Sequence, residues 1–117
     1  MIKHGRAPYI ECSSKGDKRF SAFYAKVNGK TIERQYQAAK MFDDGSTGLH
    51  WKAAKGRAAV NGNEVRTLYT KLWEQYIEEN PELLSVLKAA YGLCDTFGQP
   101  GHVCQATELW KIRNESE

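Results

Sequence analysis

Glu33, Gln37 and Lys40 are spaced i, i+4, i+7, the interval at which a helix stacks side chains on one face. A carboxylate, an amide and an ammonium in one row can receive sugar hydroxyls and hold a phosphate, although such a stripe is also what a solvated helix face looks like. Just upstream, bases alternate with aromatics: Lys18, Arg19, Phe20, Phe23, Tyr24 and Lys26. Cationic groups pair with phosphates and aromatic faces stack on bases, so the mixture points to a nucleotide-handling surface. In a strand, Phe20 and Phe23 would face opposite ways, which makes one of them core and leaves the other as a stacking platform. Arg57, in the glycine-bounded stretch Gly56 to Gly62, is a phosphate-clamp candidate with a surface salt bridge as its alternative. Phe97 and Gln99 in FGQPGH offer either a ligand wall or a simple tight turn.

Other chemistries find less support. Gly29-Lys30-Thr31 fails as a phosphate loop because Tyr24 stands where that pattern needs glycine. The chain has no HExxH, GxSxG or GxGxxG, and His4, His50 and His102 adjoin no obvious nucleophile, so a hydrolase triad is unsupported. Cys12, Cys94 and Cys104 are odd in number and scattered, which reads as reduced, buried thiols rather than a disulfide framework. Cys94, His102 and Cys104 with His4 are a zinc alternative, but without CxxC spacing no metal site is expected, nor any cofactor.

A chain of 117 residues, 41% hydrophobic and 26% charged, predicts one soluble domain over residues 1–117. No apolar run is long enough to span a bilayer and the first residues carry no signal-peptide core, so a cytoplasmic protein without membrane contact is expected. The net charge of +3 is uneven: residues 1–40 carry nine Lys/Arg against three acids, whereas residues 61–117 carry five against nine. A basic amino-terminal third suits an anionic partner or merely a solvated face. Nucleic acid is a weaker partner than a small nucleotide, since no nucleic-acid-binding motif accompanies the charge.

The elements that must position these residues follow from pattern. Residues 8–13 predict a strand, Phe20 to Val27 a second, and Lys30 to Ile32 its return across a type I′ turn at Asn28-Gly29. A helix is expected over 32–42 with Thr31 as N-cap, and another over 47–55 after Ser46. Val65, Leu68, Tyr69, Leu72, Trp73, Tyr76 and Ile77 repeat at helical intervals and predict a central core helix over 64–79, capped by Asn63. Pro81 opens a further helix that Gly92 closes, residues 93–103 read as a loop, and 105–113 as a last helix before a frayed tail from Asn114. The fold class is α+β, a short amino-terminal antiparallel sheet packed on a helical carboxy-terminal body.

The segment FSAFYAKVNGKTIERQYQAAK resembles the amino-terminal signature of NADAR (YbiA-like) domains, through Phe20, Ser21, Phe23, Tyr24, Gly29, Lys30, Glu33, Gln37, Ala38 and Lys40. NPELL, from Asn80, resembles a helix of the same domains. The resemblance implies an N-glycosidase acting on ADP-ribose conjugates, with Glu33 as its catalytic carboxylate. The chain departs from that family where a later acidic, Trp-Gly-containing segment would stand, since FGQPGHVCQATELW has no Trp-Gly. Over its whole length, in IERQYQAAK, AKGRAAVN, LYTKLWEQYIEENPELL and FGQPGHVCQATELWKIRN, the chain is similar to a phage family, the anti-Thoeris sponge proteins. That resemblance implies a phage-encoded homo-oligomer, a dimer or larger, that sequesters a cyclic ADP-ribose signal in the host cytoplasm without chemistry. In the ligand site so implied, Arg57, Arg19, Lys40 and Arg113 meet phosphates. Phe20, Phe23 or Phe97 stacks on adenine, and Glu33, Gln37 or Gln99 takes ribose hydroxyls.

Overall fold

The computed structural model describes residues 1–115, in the order β1 (Ile2–Gly5), β2 (Tyr9–Glu11), a 3-10 turn (Lys18–Phe20), β3 (Lys26–Val27), β4 (Lys30–Thr31), α1 (Ile32–Ala38), α2 (Trp51–Ala54), α3 (Gly62–Glu79), α4 (Pro81–Ala89), β5 (Gly92–Asp95) and α5 (Gln105–Glu115). It is an α+β fold, as its sequence pattern predicts. The expected tail splits: Asn114 and Glu115 belong to α5, while Ser116 and Glu117 lie outside the described residues. No described helix is long and apolar enough to cross a membrane.

The core gathers around α3, whose buried face carries Val65, Tyr69, Leu72, Trp73, Tyr76 and Ile77. Trp73 is fully buried, with Tyr69 and Tyr76 meeting its ring edge-on at centroid distances of 6.5 and 5.5 Å. The helix begins at Gly62, ahead of Asn63. Asn61 spends its side chain elsewhere: Oδ1 accepts from the Met41 N–H and Nδ2 donates to the Ala39 carbonyl, tying the end of α1 to the start of α3. The tight hairpin is as expected, with φ of 55° at Asn28 and 80° at Gly29 between β3 and β4.

Three expectations are corrected. Residues 20–25 are not strand: Asp17 accepts from the Arg19 N–H and starts a 3-10 turn, and a second turn follows through Ser21 and Tyr24. The predicted helices over 32–42 and 47–55 are shorter, because Met41 and Thr47 pair in an antiparallel bridge between them and Gly48 takes a φ of 68°. Finally, the main sheet is mixed and has its central strand late in the chain: β5 lies between β1, antiparallel, and β2, parallel. Four residues carry no periodicity of their own, so by pattern alone residues 92–95 read as helix end and loop.

Glu11 fastens this sheet. Its carboxylate accepts from the N–H groups of Ser13 (3.1 Å) and Thr96 (3.0 Å) and from the Thr96 hydroxyl. Burial pushes its pKa up, but these hydrogen bonds together outweigh that and hold it down at about 2. A carboxyl depressed in the folded state contributes stability that is complete above its unfolded pKa and lost as pH falls through the folded one. Glu11→Gln is therefore expected to cost about 1–2 kcal/mol at neutral pH, from weakened charge-assisted bonds, with the deficit closing between about pH 4.5 and 2. Denaturant titrations across that range check it.

Candidate functional site

Helix α1 buries two faces. Thr31 caps it, its hydroxyl accepting from the Arg34 N–H at 3.2 Å, and Gln35 Nε2 donates to the carbonyls of Val27 and Lys30, both at 2.9 Å. The apolar face sets Tyr36 edge-on to Tyr69 at 5.1 Å. The polar face is not solvated: Glu33, Gln37 and Lys40 are 9%, 5% and 7% exposed. Helix α2 and the loop after it provide the cover, with α2 packed against α1.

The polar row is internally wired. Gln37 Nε2 donates to Glu33 Oε2 at 2.7 Å. Lys40 Nζ donates to the carbonyls of Ala54 (3.4 Å) and Arg57 (3.2 Å), so the ammonium closes the end of α2. Burial raises the pKa of Glu33, with the Gln37 hydrogen bond and then the charges of Lys55 and Lys40 pulling the other way. Burial likewise lowers that of Lys40, against the opposing charge of Glu33. No ion pair within 4.0 Å joins Glu33 to a cation among the described residues. Gln37 Oε1 is buried without any hydrogen-bond partner.

At the rim stand two residues that the local reading missed. Trp51, the first residue of α2, meets Phe23 edge-on at 5.9 Å, and Lys55 Nζ lies 5.2 Å from the Phe23 centroid and 5.9 Å from that of Trp51. Their signal was present in the sequence as an aromatic and a base at i, i+4 in the segment predicted to be helical. The FSAF segment is held from both sides: the Ala22 N–H donates to Gln105 Oε1 at 2.7 Å and its carbonyl accepts from the Glu33 N–H at 3.0 Å. Phe23 is thereby fixed beside Glu33. Arg57 stacks on Phe42 at 3.9 Å and reaches Asp44 at 3.7 Å, an exposed pair of little energetic weight that leaves the guanidinium available.

Of the ten ligand residues expected from sequence, Phe23, Glu33, Gln37, Lys40 and Arg57 gather around α1 and α2, and the other five do not join them. Phe20 is fully buried and cannot stack on a base. Arg19 is clamped by Asp17, with Nη2 to Oδ2 at 2.7 Å. Phe97, 56% exposed, carries Lys15 over its ring, and Gln99 is exposed in the same turn. That turn packs through Gly98 on Ile2 of β1. Arg113 donates to the Ala90 carbonyl at 3.3 and 3.1 Å and lies over Trp110.

The cysteines are free and buried, and burial pushes the Cys94 thiol up to about 11. Cys94 Sγ faces Glu11, Cys104 Sγ faces Asp95 and His4 meets Thr107, so the zinc alternative is not assembled; among the described residues no three metal-ligating side chains converge. Two concavities lie elsewhere, an open trough of about 660 Å³ along Lys71, Glu74 and Glu78 and a groove of about 310 Å³ between α3 and α5. The trough is a solvated charged face, and in the groove Thr70 and Lys111 bond Glu108 while Arg66 bonds the Gly101 carbonyl. The unsatisfied acceptor is at Gln37. Comparison of the chain with family models, with curated proteins and with solved structures found no match in any of the three.

Proposed function

We propose that the α1–α2 face binds a cyclic ADP-ribose-type nucleotide and withholds it, unaltered, from whatever would respond to it. The carrying observation is the Glu33–Gln37 pair, buried yet with an unpartnered amide oxygen, with Lys55 on the Phe23 and Trp51 rings acting on Glu33 and with Arg57 at the Lys40 end of the row. Cations suit the phosphates and aromatic edges the base. The charges that act on Glu33 are those of Lys55 and Lys40, both positive, whereas glycosidases generally work with two carboxylates. That setting favours holding over turnover. Sequestration needs a dissociation constant near nanomolar, about −12 kcal/mol, more than one shallow face supplies, so the reading includes a homo-oligomer in which a second copy closes over the ligand. With the resemblance to the anti-Thoeris sponges, it describes a phage-encoded protein acting in the host cytoplasm against TIR-dependent defence.

A second reading, an N-glycosidase on ADP-ribose conjugates, is favoured by one observation: burial raises the pKa of Glu33, which is how a carboxyl is kept protonated to act as a general acid. Incubating the protein with an equal amount of cyclic ADP-ribose and then heat-denaturing it separates the two. Intact cyclic ligand, protected until denaturation, is the expected result. Ring-opened product would overturn sequestration in favour of catalysis; cyclic ligand left unaltered and unprotected would sink sequestration, and a panel of ADP-ribose conjugates left uncleaved would sink the glycosidase.

A further inference from the structure

We infer that Gln37 is the specificity-determining residue of this face and that its amide oxygen, beside the free oxygen of Glu33, accepts from the vicinal hydroxyls of a ribose. The inference rests on the nucleotide-binding reading and narrows it to the sugar. Among the described residues two buried side-chain polar atoms lack partners, Gln37 Oε1 and Trp73 Nε1. Trp73 lies fully buried in the core between Tyr69 and Tyr76. Gln37 bonds Glu33, the carboxylate that feels the Lys55 charge, and Lys55 lies against the half-buried rings of Phe23 and Trp51.

The orientation of the amide follows from chemistry. Glu33 Oε2 is an acceptor, so the group 2.7 Å away must be the Gln37 Nε2 donor, and the end left over is the oxygen. An unpaired buried acceptor costs about 1–3 kcal/mol, and a group that donates to it recovers that. Phosphate and the ring nitrogens of adenine only accept; hydroxyls and the exocyclic amine donate. Position decides between these two. The rim aromatics Phe23 and Trp51 are where a base stacks, and Arg57, whose carbonyl Lys40 bonds at the other end of the row, is where phosphates pair. The sugar joins base to phosphate and so falls between them, over Glu33 and Gln37. Gln37 is 5% exposed, so the hydroxyls reach it only when the side chains that cover this face of α1 give way.

Calorimetric titration of the whole protein with cyclic ADP-ribose, with analogues lacking one hydroxyl of a ribose, and with the inosine counterpart lacking the amine tests this. The wild type is expected to lose about tenfold in affinity for the deoxy analogue of the bound ribose and to bind the inosine form unchanged, one hydrogen bond being worth that factor. In Gln37→Met, similar in shape but without the acceptor, the deoxy penalty is expected to fall to about twofold or less. Equal affinity of the wild type for all deoxy analogues overturns the inference while leaving nucleotide binding intact, as does a penalty that follows the amine. No binding of cyclic ADP-ribose at all overturns the nucleotide reading with it. The wild-type series decides the matter even where Gln37→Met fails to fold.

Discussion

Gly92→Ala is expected to abolish cooperative folding or leave it barely detectable. Gly92 opens β5 and pairs with Gly5 on one side and Tyr9 on the other, at the centre of the only three-stranded sheet among the described residues. A Cβ there would meet the carbonyl oxygens of Arg6 and His4 and the Tyr9 ring, all nearer than 3.0 Å. Two of the three are backbone, so relief requires parting the strands rather than turning a side chain. That places the cost above the ~1–3 kcal/mol of ordinary overpacking and against a total stability of about 5–15 kcal/mol. Gly62→Ala supplies the contrast: nothing lies within 4 Å of its Cβ, it starts α3, and alanine is expected to be neutral or to stabilise by up to about 1 kcal/mol. Denaturant melts of the two variants side by side check both, and a Gly92→Ala protein melting like the wild type would mean the sheet is not assembled as described.

The contrast between these glycines also shows what was legible. Gly29 announces itself, because Asn-Gly between apolar runs demands a hairpin from local geometry alone. So do Pro81 at the start of α4 and the apolar stripe of α3, whose periods need no partner to be read. Gly92 does not, since its constraint comes from Arg6 and Tyr9, more than eighty residues away. The site divides the same way. The i, i+4 spacing put Glu33 and Gln37 on one face of α1, whereas Lys40 lies just past the helix end; whether that face is wet or dry was decided by α2 closing over it. Phe20 and Phe23 could be assigned to core and rim only after the strand expected there proved to be two turns. Arg19, Phe97 and Arg113 had the right chemistry for phosphate or base. Each was drawn to a partner beyond the reach of local pattern or simply nearer: Asp17, Lys15 and the Ala90 carbonyl.

Glu33→Gln is expected to raise the melting temperature at neutral pH and to weaken nucleotide binding about 10- to 100-fold, the scale of one charge-assisted hydrogen bond lost to the ligand. The two effects have opposite signs for one reason. Burial raises the pKa of Glu33 above its unfolded value, so the folded state disfavours the ionised form. Stability tied to such a group is fully present below the unfolded pKa and is lost as pH rises through the folded one. Glutamine has the same shape, still accepts from Gln37 Nε2, and carries no charge to desolvate, so it keeps the structure without that loss. The advantage of the variant should therefore vanish as pH is lowered below the ordinary glutamate range, about 4.3. On the nucleotide-binding proposal, the stability that this carboxylate costs is offset by the contact it makes to the ligand. Thermal melts at stepped pH with parallel titrations of cyclic ADP-ribose check the pair. A variant less stable than the wild type at neutral pH would make Glu33 a structural partner of Gln37, and the buried row a strut rather than a site.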